Sequence, residues 1–223
     1  MGTHELKSVA MPLIKSIKSR LRDGRLHRWM QHSGEVAQIK EWKESGCPVP
    51  PPQSYKQRLI RETAARFGCR TLVETGTHNG GTIAASLHSF DVVHSIELSE
   101  EFYNAARRRF ARFPKVHLWH GDSAAVLPRV LETITASALF WLDAHYSGEG
   151  TARADIDTPI VQELQTIARH PAGPHVLLID DARLFDSTDG YPTIDCCRSL
   201  ATEFWPQHRF EVLNDIVRFF PEF

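Results

Sequence analysis

The stretch that decides the fold is Thr71–Thr82, TLVETGTHNGGT. Its first half, Thr71 to Thr75, is a short apolar, β-branched run that reads as a buried strand. Its second half breaks at Gly76 and again at Gly80-Gly81, and a helix is expected from Gly80 to His88. Strand, glycine-rich turn, helix is the opening unit of a doubly wound sheet. The turn then lies at the carboxyl edge of the strands, near the topological switch point.

Working outward, the same alternation repeats. A helix over Gln53 to Phe67 closes at Gly68, and a strand over Val92 to Glu97 follows the glycine turn. Ser99 is placed to cap the next helix, with Phe102, Ala106, Phe110 and Phe113 on one core face. Then come a strand at Lys115 to His120, a helix at Ser123 to Thr133 and a strand at Ala138 to Asp143. A long loop runs from Asp143 to Asp157, and Thr158-Pro159 starts a helix reaching about Arg169. A strand at His175 to Asp180 and a helix at Thr193 to Phe204 precede two final strands, Arg209 to Leu213 and Ile216 to Phe220. Asn214-Asp215 between them is the turn of an antiparallel hairpin. Strands alternating with helices imply an α/β fold, a parallel sheet covered by helices on both faces.

Upstream, Leu6 to Gly46 reads as helical, with Leu13, Ile14, Ile17 and Leu21 on one side and a basic polar side. Such a helix can dock or act as a lid with a solvated face, or bind a membrane surface or acidic partner. It is also a candidate homodimer contact. Cys47-Pro48-Val49-Pro50-Pro51-Pro52 breaks the pattern, which divides the chain into a helical segment with linker, 1–52, and a core domain, 53–223.

Bulk properties narrow the function. The net charge of −1 offers no field for nucleic acid. Arg107, Arg108, Arg109 and Arg112 read as a solvated helix face, and Phe110 and Phe113 beside them as core. No apolar run is long enough to span a bilayer. Lys15, Lys18, Arg20 and Arg22 interrupt any secretory pattern. Cys47, Cys69, Cys196 and Cys197 have no zinc or CxxC spacing, so reduced thiols in a cytoplasmic protein are expected.

Three loops at successive strand ends carry the chemistry. Gly76 lets a ligand approach the backbone. Glu97, about 20 residues on, is placed to accept hydrogen bonds from both hydroxyls of a ribose; alternatively it is an ordinary solvated glutamate. Gly121-Asp122-Ser123 follows the third strand, where the carboxylate either meets an adenine amino group or caps the helix. Together the loops fit a nucleoside-like ligand. A dinucleotide turn would need glycine where His78 stands, which argues against a NAD-dependent oxidoreductase, and the lysine of a P-loop is missing. The fourth and fifth strands end in Asp143-Ala144-His145-Tyr146 and Asp180-Asp181-Ala182-Arg183. Buried strands ending in like charges are costly unless a cation or protons intervene. Oxygen-only ligation by three carboxylates suits Mg²⁺, although Asp180-Asp181 could also be a loop-capping pair.

Together, Glu74 to Thr82, Ile96-Glu97 and Gly121-Asp122-Ser123 resemble the cofactor loops of class I S-adenosylmethionine (SAM)-dependent methyltransferases. The resemblance covers about Ser54 to Phe220. It implies a Rossmann-like three-layer αβα sandwich with a seven-stranded sheet ordered 3-2-1-4-5-7-6. It implies SAM held by Glu74, Thr75, Gly76, Thr77, Gly80, Thr82, Glu97, Leu98, Gly121, Asp122, Ser123 and Asp143. In that arrangement Gly76 and Gly80 meet the methionine part, Glu97 the ribose, and Asp122 with Ser123 the adenine. Asp143, Asp180 and Asp181 are further similar to the Mg²⁺-binding aspartates of macrocin-type sugar O-methyltransferases. That pattern tends to have an aspartate where His145 stands. The resemblance implies metal-assisted O-methylation of a small-molecule hydroxyl, a sugar or glycosylated metabolite preferred. His145 or a metal-ligating carboxylate such as Asp143 would take the proton, and Tyr146, Arg153 and Arg183 would meet the acceptor. Two other expectations stand beside it: metal-free N- or O-methylation with His145 as base, and a SAM-fold binding module without turnover.

Overall fold

In the computed structural model, residues 33–143, 159–187 and 191–222 are described. They fall into two compact units, one containing 33–48 and 52–55, the other 49–51 and the described residues from Lys56 onward. In the first unit residues 33–44 form helix α1, and the chain turns through Gly46 at a φ of 87°. The Trp42 indole donates to the Pro48 carbonyl at 2.8 Å, and its ring lies 4.5 Å from that of Tyr55. The expected helix from Leu6 to residue 32 lies outside the described residues.

Helix α2 (Gln53–Phe67), which belongs to the second unit from Lys56 onward, leads into strand β1 (Thr71–Thr75). Then follow α3 (Gly81–Ser86), β2 (Val92–Glu97), α4 (Glu100–Phe110), β3 (Val116–His120) and α5 (Ser123–Leu131). The second half is β4 (Ala138–Leu142), α6 (Ile160–Ala168), β5 (Val176–Ile179), α7 (Ile194–Phe204), β6 (His208–Leu213) and β7 (Ile216–Pro221). The sheet has seven strands in the order β3-β2-β1-β4-β5-β7-β6. β1 to β5 pair in parallel, and β7 is antiparallel to both β5 and β6. This is the expected Rossmann-like architecture with its terminal hairpin.

Alternation of side chains sorts the core into two layers. Val73, Ile96, Phe140, Leu142, Leu177 and Phe219 pack with Val126 and Leu127 of α5, Leu164 of α6 and Cys197 and Ala201 of α7. Phe220, next to Phe219 and so on the opposite face, stacks on Phe67 of α2 at 5.3 Å. α2 therefore crosses the second face with Phe67 at the amino edge of the parallel strands, and Lys56 lies at the carboxyl edge beside Asp180. α3 and α4 cover the same sheet over β2.

The structure trims several expected boundaries. The helix after the glycine turn begins at Gly81, because Gly80 sits in the left-handed region at a φ of 68°. The helix after β3 ends at Leu131, two residues early. Pro159 stands before α6 as its N-cap, one position earlier than expected, and makes no side-chain cap bond. Phe113 is a correction: α4 stops at Phe110, and Phe113, held out of helical conformation by the following Pro114, is 39% exposed. The adjacent thiols of α7 diverge, Cys197 buried and Cys196 exposed.

A Cβ at Gly80 would meet Phe110 Cε2 at 2.6 Å, in a backbone conformation that side chains disfavour. Gly80→Ala is expected to cost about 2 kcal/mol of unfolding free energy, measured by urea denaturation. An unchanged midpoint would show that Phe110 moves aside freely.

Candidate functional site

The hydrogen-bond ladder of the sheet continues past the ends of the strands. Gly121 N donates to Glu97 O at 2.9 Å and Gly76 N to Ile96 O at 3.0 Å. Asp143 N donates to Thr75 O at 3.1 Å and Asp180 N to Leu142 O at 3.1 Å. These bonds fix the loops after β1, β3, β4 and β5 along the carboxyl edge, across the β1/β4 switch point.

At the glycine turn, Gly76 has a φ of 87° and His78 a φ of 46°. The bend turns the His78 amide onto Glu97, whose Oε2 accepts it at 2.7 Å, while Glu97 Oε1 accepts from Ser99 N at 2.8 Å. Glu97 is thus a buried carboxylate clamped by two backbone donors, not a solvated one. Each oxygen keeps a further lone pair for another donor. Beneath it, Glu74 lies fully inside the protein: Ser95 donates to its Oε2 at 2.6 Å, and Ser95 also pairs with Thr77 Oγ1 at 2.6 Å. Burial pushes the Glu74 carboxyl up to about 8, against the Ser95 and Thr82 hydroxyls, which lower it. The Leu98 carbonyl pairs with the His120 ring at 3.1 Å.

Asp122 caps α5: its Oδ1 accepts from Ala124 N at 2.8 Å and from Ala125 N at 3.4 Å. The capping alternative is therefore realised, and it orients the loop at Gly121-Asp122-Ser123. Sequence reasoning missed Glu163, which enters this region from the first turn of α6 and is 1% exposed. Burial pushes its carboxyl up to about 7; the Ser123 and Thr75 hydroxyls oppose this, and Asp122 and Asp143 add to it.

Carboxylate oxygens of Asp143, Asp180 and Asp181 lie within 4.8 Å of one another. Asp180 and Asp181 are buried and Asp143 is half-buried. Three more residues that sequence reasoning missed surround this cluster. Lys56, in the first turn of α2, places Nζ 2.5 Å from Asp180 Oδ2 and 3.8 Å from Asp181 Oδ1. Burial opposes its charge, yet Asp180, Asp181 and Asp143 together raise its pKa. Asp215, in the β6–β7 turn, accepts from Arg183 N at 2.7 Å, and its carbonyl accepts from Ala182 N at 2.8 Å. Arg183 donates to Asp181 Oδ1 at 2.7 Å and to Asp215 Oδ2. The hairpin turn thereby holds Asp181 in its left-handed conformation, at a φ of 57°. Tyr191 completes the surroundings; burial, then Asp181 and Asp143, push its hydroxyl pKa upward. Asp180 is pushed up by burial and by Asp143 and Asp181, with Lys56 acting against them.

The expected residues of the cofactor and acid groups therefore line one edge of one sheet. His145, Tyr146 and Arg153 lie outside the described residues. Arg183 is used internally, between two aspartates. No pattern in the sequence singles out Lys56, Glu163 or Tyr191, whereas Asp215 was visible only as a turn former.

No protein-family profile matches the chain, and neither does any curated protein. Solved structures share its fold. One is the SAH-bound methyltransferase PaMTH1 of Podospora anserina, at 15% identity over 84% of this chain and 88% of that one, with a TM-score of 0.53. A second is an O-methyltransferase from Bacillus cereus in complex with SAH, at 14% identity, 84% and 90% coverage and a TM-score of 0.55. A third is TomG of Streptomyces achromogenes, an O-methyltransferase involved in tomaymycin synthesis and solved with SAM. It is 15% identical, with 83% and 86% coverage and a TM-score of 0.54. At these identities the likeness establishes a Rossmann-like methyltransferase fold.

The buried Glu74 has a consequence for stability. Its folded pKa of about 8 stands above the ordinary 4.5, so the folded chain holds a proton that the unfolded chain releases. Stability is full below about 4.5 and falls as pH rises towards about 8. Glu74→Gln removes that loss. Urea unfolding across this window is expected to show a wild-type deficit against the variant that grows with pH; parallel curves would contradict a protonated Glu74.

Proposed function

We propose that the chain is a SAM-dependent methyltransferase that uses residues 53–223 to O-methylate a small-molecule hydroxyl with the aid of a divalent cation. The observation that carries the reading is Glu97. A carboxylate 8% exposed, fixed by the His78 and Ser99 amides at the end of β2, keeps lone pairs directed to the carboxyl edge. That donor set suits the two hydroxyls of a ribose. The shared fold with SAM- and SAH-bound enzymes supports the same reading.

The residues fit the two groups this reading needs. Gly76 and Gly80 leave room for the methionine part, and Thr75, Thr77, Thr82 and Glu74 support the turn that carries them. Leu98 flanks the ribose, and Gly121, Asp122 and Ser123 receive the adenine. SAM, when bound, supplies a methyl group on a sulfonium. At the acid end, the three carboxylates of Asp143, Asp180 and Asp181 stand against the single ammonium of Lys56. Arg183 is shared with Asp215, which balances it. Two negative charges remain, matching one divalent ion, and all the ligands are oxygen, as Mg²⁺ prefers. Mg²⁺ held there would lower the pKa of the acceptor hydroxyl. Asp143 or His145 takes the hydroxyl proton. Tyr146 and Arg153 orient the acceptor, Arg183 holds Asp181 in place beside it, and positioning supplies much of the rate. The macrocin-type resemblance of the three aspartates points to a sugar or glycosylated metabolite as acceptor.

The two halves separate experimentally. Glu97→Gln is expected to weaken SAH binding about 10- to 100-fold by calorimetry, the loss of a charge-assisted hydrogen bond. Asp180→Asn is expected to leave SAH binding near wild type and to remove turnover, as EDTA does. Full turnover in excess EDTA would refute the metal role. Failure of the wild type to bind SAH at millimolar concentration would refute the methyltransferase reading and favour a binding module without turnover.

A further inference from the structure

Lys56 is 44 positions upstream of the nearest residue of the α4 helix and 124 positions from Asp180, yet its ammonium is the closest described cation to that carboxylate. The pair is well buried, with side-chain exposures of 12% and 1%. Asp180 Oδ1 accepts from Asp181 N at 2.9 Å, so Lys56 takes the other oxygen, Oδ2. α2 is anchored at its far end by the Phe67–Phe220 stack, and Lys56 rides on its first turn. The ammonium is therefore a fixture of the fold.

We infer that Lys56 is the permanent first cation of the acid cluster, setting it to take one divalent ion with moderate affinity. The inference rests on the reading that the three aspartates hold a divalent cation. The reasoning is electrostatic. Without Lys56, the three carboxylates would face the ion with only Arg183 beside them, a charge that Asp215 already balances, and a second ion could enter to complete the balance. With Lys56, one carboxylate charge is already neutralised. Any ion bound through Asp180 shares that residue with an ammonium of like sign and is repelled by it. Lys56 is thus a positioning residue: it holds the Asp180 carboxylate by one oxygen and acts on the ion through charge.

The test is Mn²⁺ binding to the full-length chain, with free Mn²⁺ counted by electron paramagnetic resonance. Three variants are compared with wild type. Lys56→Met removes charge and hydrogen bond, Lys56→Gln keeps a donor without charge, and Lys56→Arg keeps the charge. Circular dichroism checks that each is folded, and the Gln variant carries the test if the Met variant is not. Wild type and Lys56→Arg are expected to take one Mn²⁺ with similar affinity. The Met and Gln variants are expected to bind about 10-fold more tightly, or to take a second ion. A merely structural lysine would give the opposite sign, since a loosened cluster binds more weakly. Met and Gln variants at or below wild-type affinity overturn the role of Lys56 and leave the metal reading standing. Binding by the Met or Gln variant with none by wild type overturns the proposal, because Lys56 would then occupy the ion's place and the native cluster would hold no ion. Absence of Mn²⁺ binding in wild type and variants alike overturns the metal reading, and the role of Lys56 with it.

Discussion

The geometry of the candidate site depends on one constraint: the parallel ladder does not stop where the strands stop. Amides of Gly121, Gly76, Asp143 and Asp180 each bond to the neighbouring strand end at about 3 Å. The loops that follow β1, β3, β4 and β5 are thereby fixed at or next to their first residue. A sheet interior is rigid on the scale of an ångström because its side chains are close-packed on both faces. Loops tied to it inherit that precision, whereas a free loop of the same sequence would not hold Glu97 and Asp143 in constant relation. This is why residues drawn from five different segments act as one edge.

That edge crowds carboxyl groups into a poorly solvated region, and the fold meets the cost in four different ways. Glu97 accepts from two backbone amides. Asp122 is stabilised by the N-terminus of α5, whose amides need an acceptor in any case. Asp180 and Asp181 have cations, Lys56 and Arg183. Glu74 and Glu163 have hydroxyls but no cation to offset the neighbouring carboxylates, and for both, burial dominates and favours the neutral acid. The first two solutions use the backbone, which no side-chain substitution removes. The third depends on individual side chains reaching from α2 and from the turn after β5.

The same distinction explains what could be read from the sequence. The alternation of periods, the glycine turn at Gly76, the cap at Ser99 and the hairpin at Asn214-Asp215 are local signals, and the elements they mark were placed to within about two residues. Glu97, Asp122, Asp143 and Asp180 were legible because a strand end fixes where its last residue points. Lys56 and Glu163 were not. Each lies in the first turn of a helix and looks like any polar residue there; only the packing of α2 and α6 against the sheet turns them inward. Asp215 was recognised for its backbone, but its buried side chain acts on Asp181 and Arg183 across a sheet pairing that no local pattern encodes. Phe113 was misjudged for the converse reason. Its spacing suited a helical face, but the helix ends before reaching it.

These differences in support imply that the two ends of the edge respond differently to their surroundings. Backbone-clamped Glu97 sits in a hydrogen-bond set whose strength changes little with salt or with bound ions. The Asp143, Asp180 and Asp181 cluster is governed by charge: adding a cation removes repulsion among the three carboxylates and relieves the burial penalty on Asp180. An ion entering there would stabilise the turn after β5, and through Arg183 and Asp215 it would stabilise the hairpin as well. The nucleoside end would be left as it is. On the proposed reading, SAM would meet a surface preformed by the fold, whereas the acceptor would meet one completed by an ion. The bond between Asp143 N and Thr75 O joins the two, so the end that changes remains in register with the end that does not.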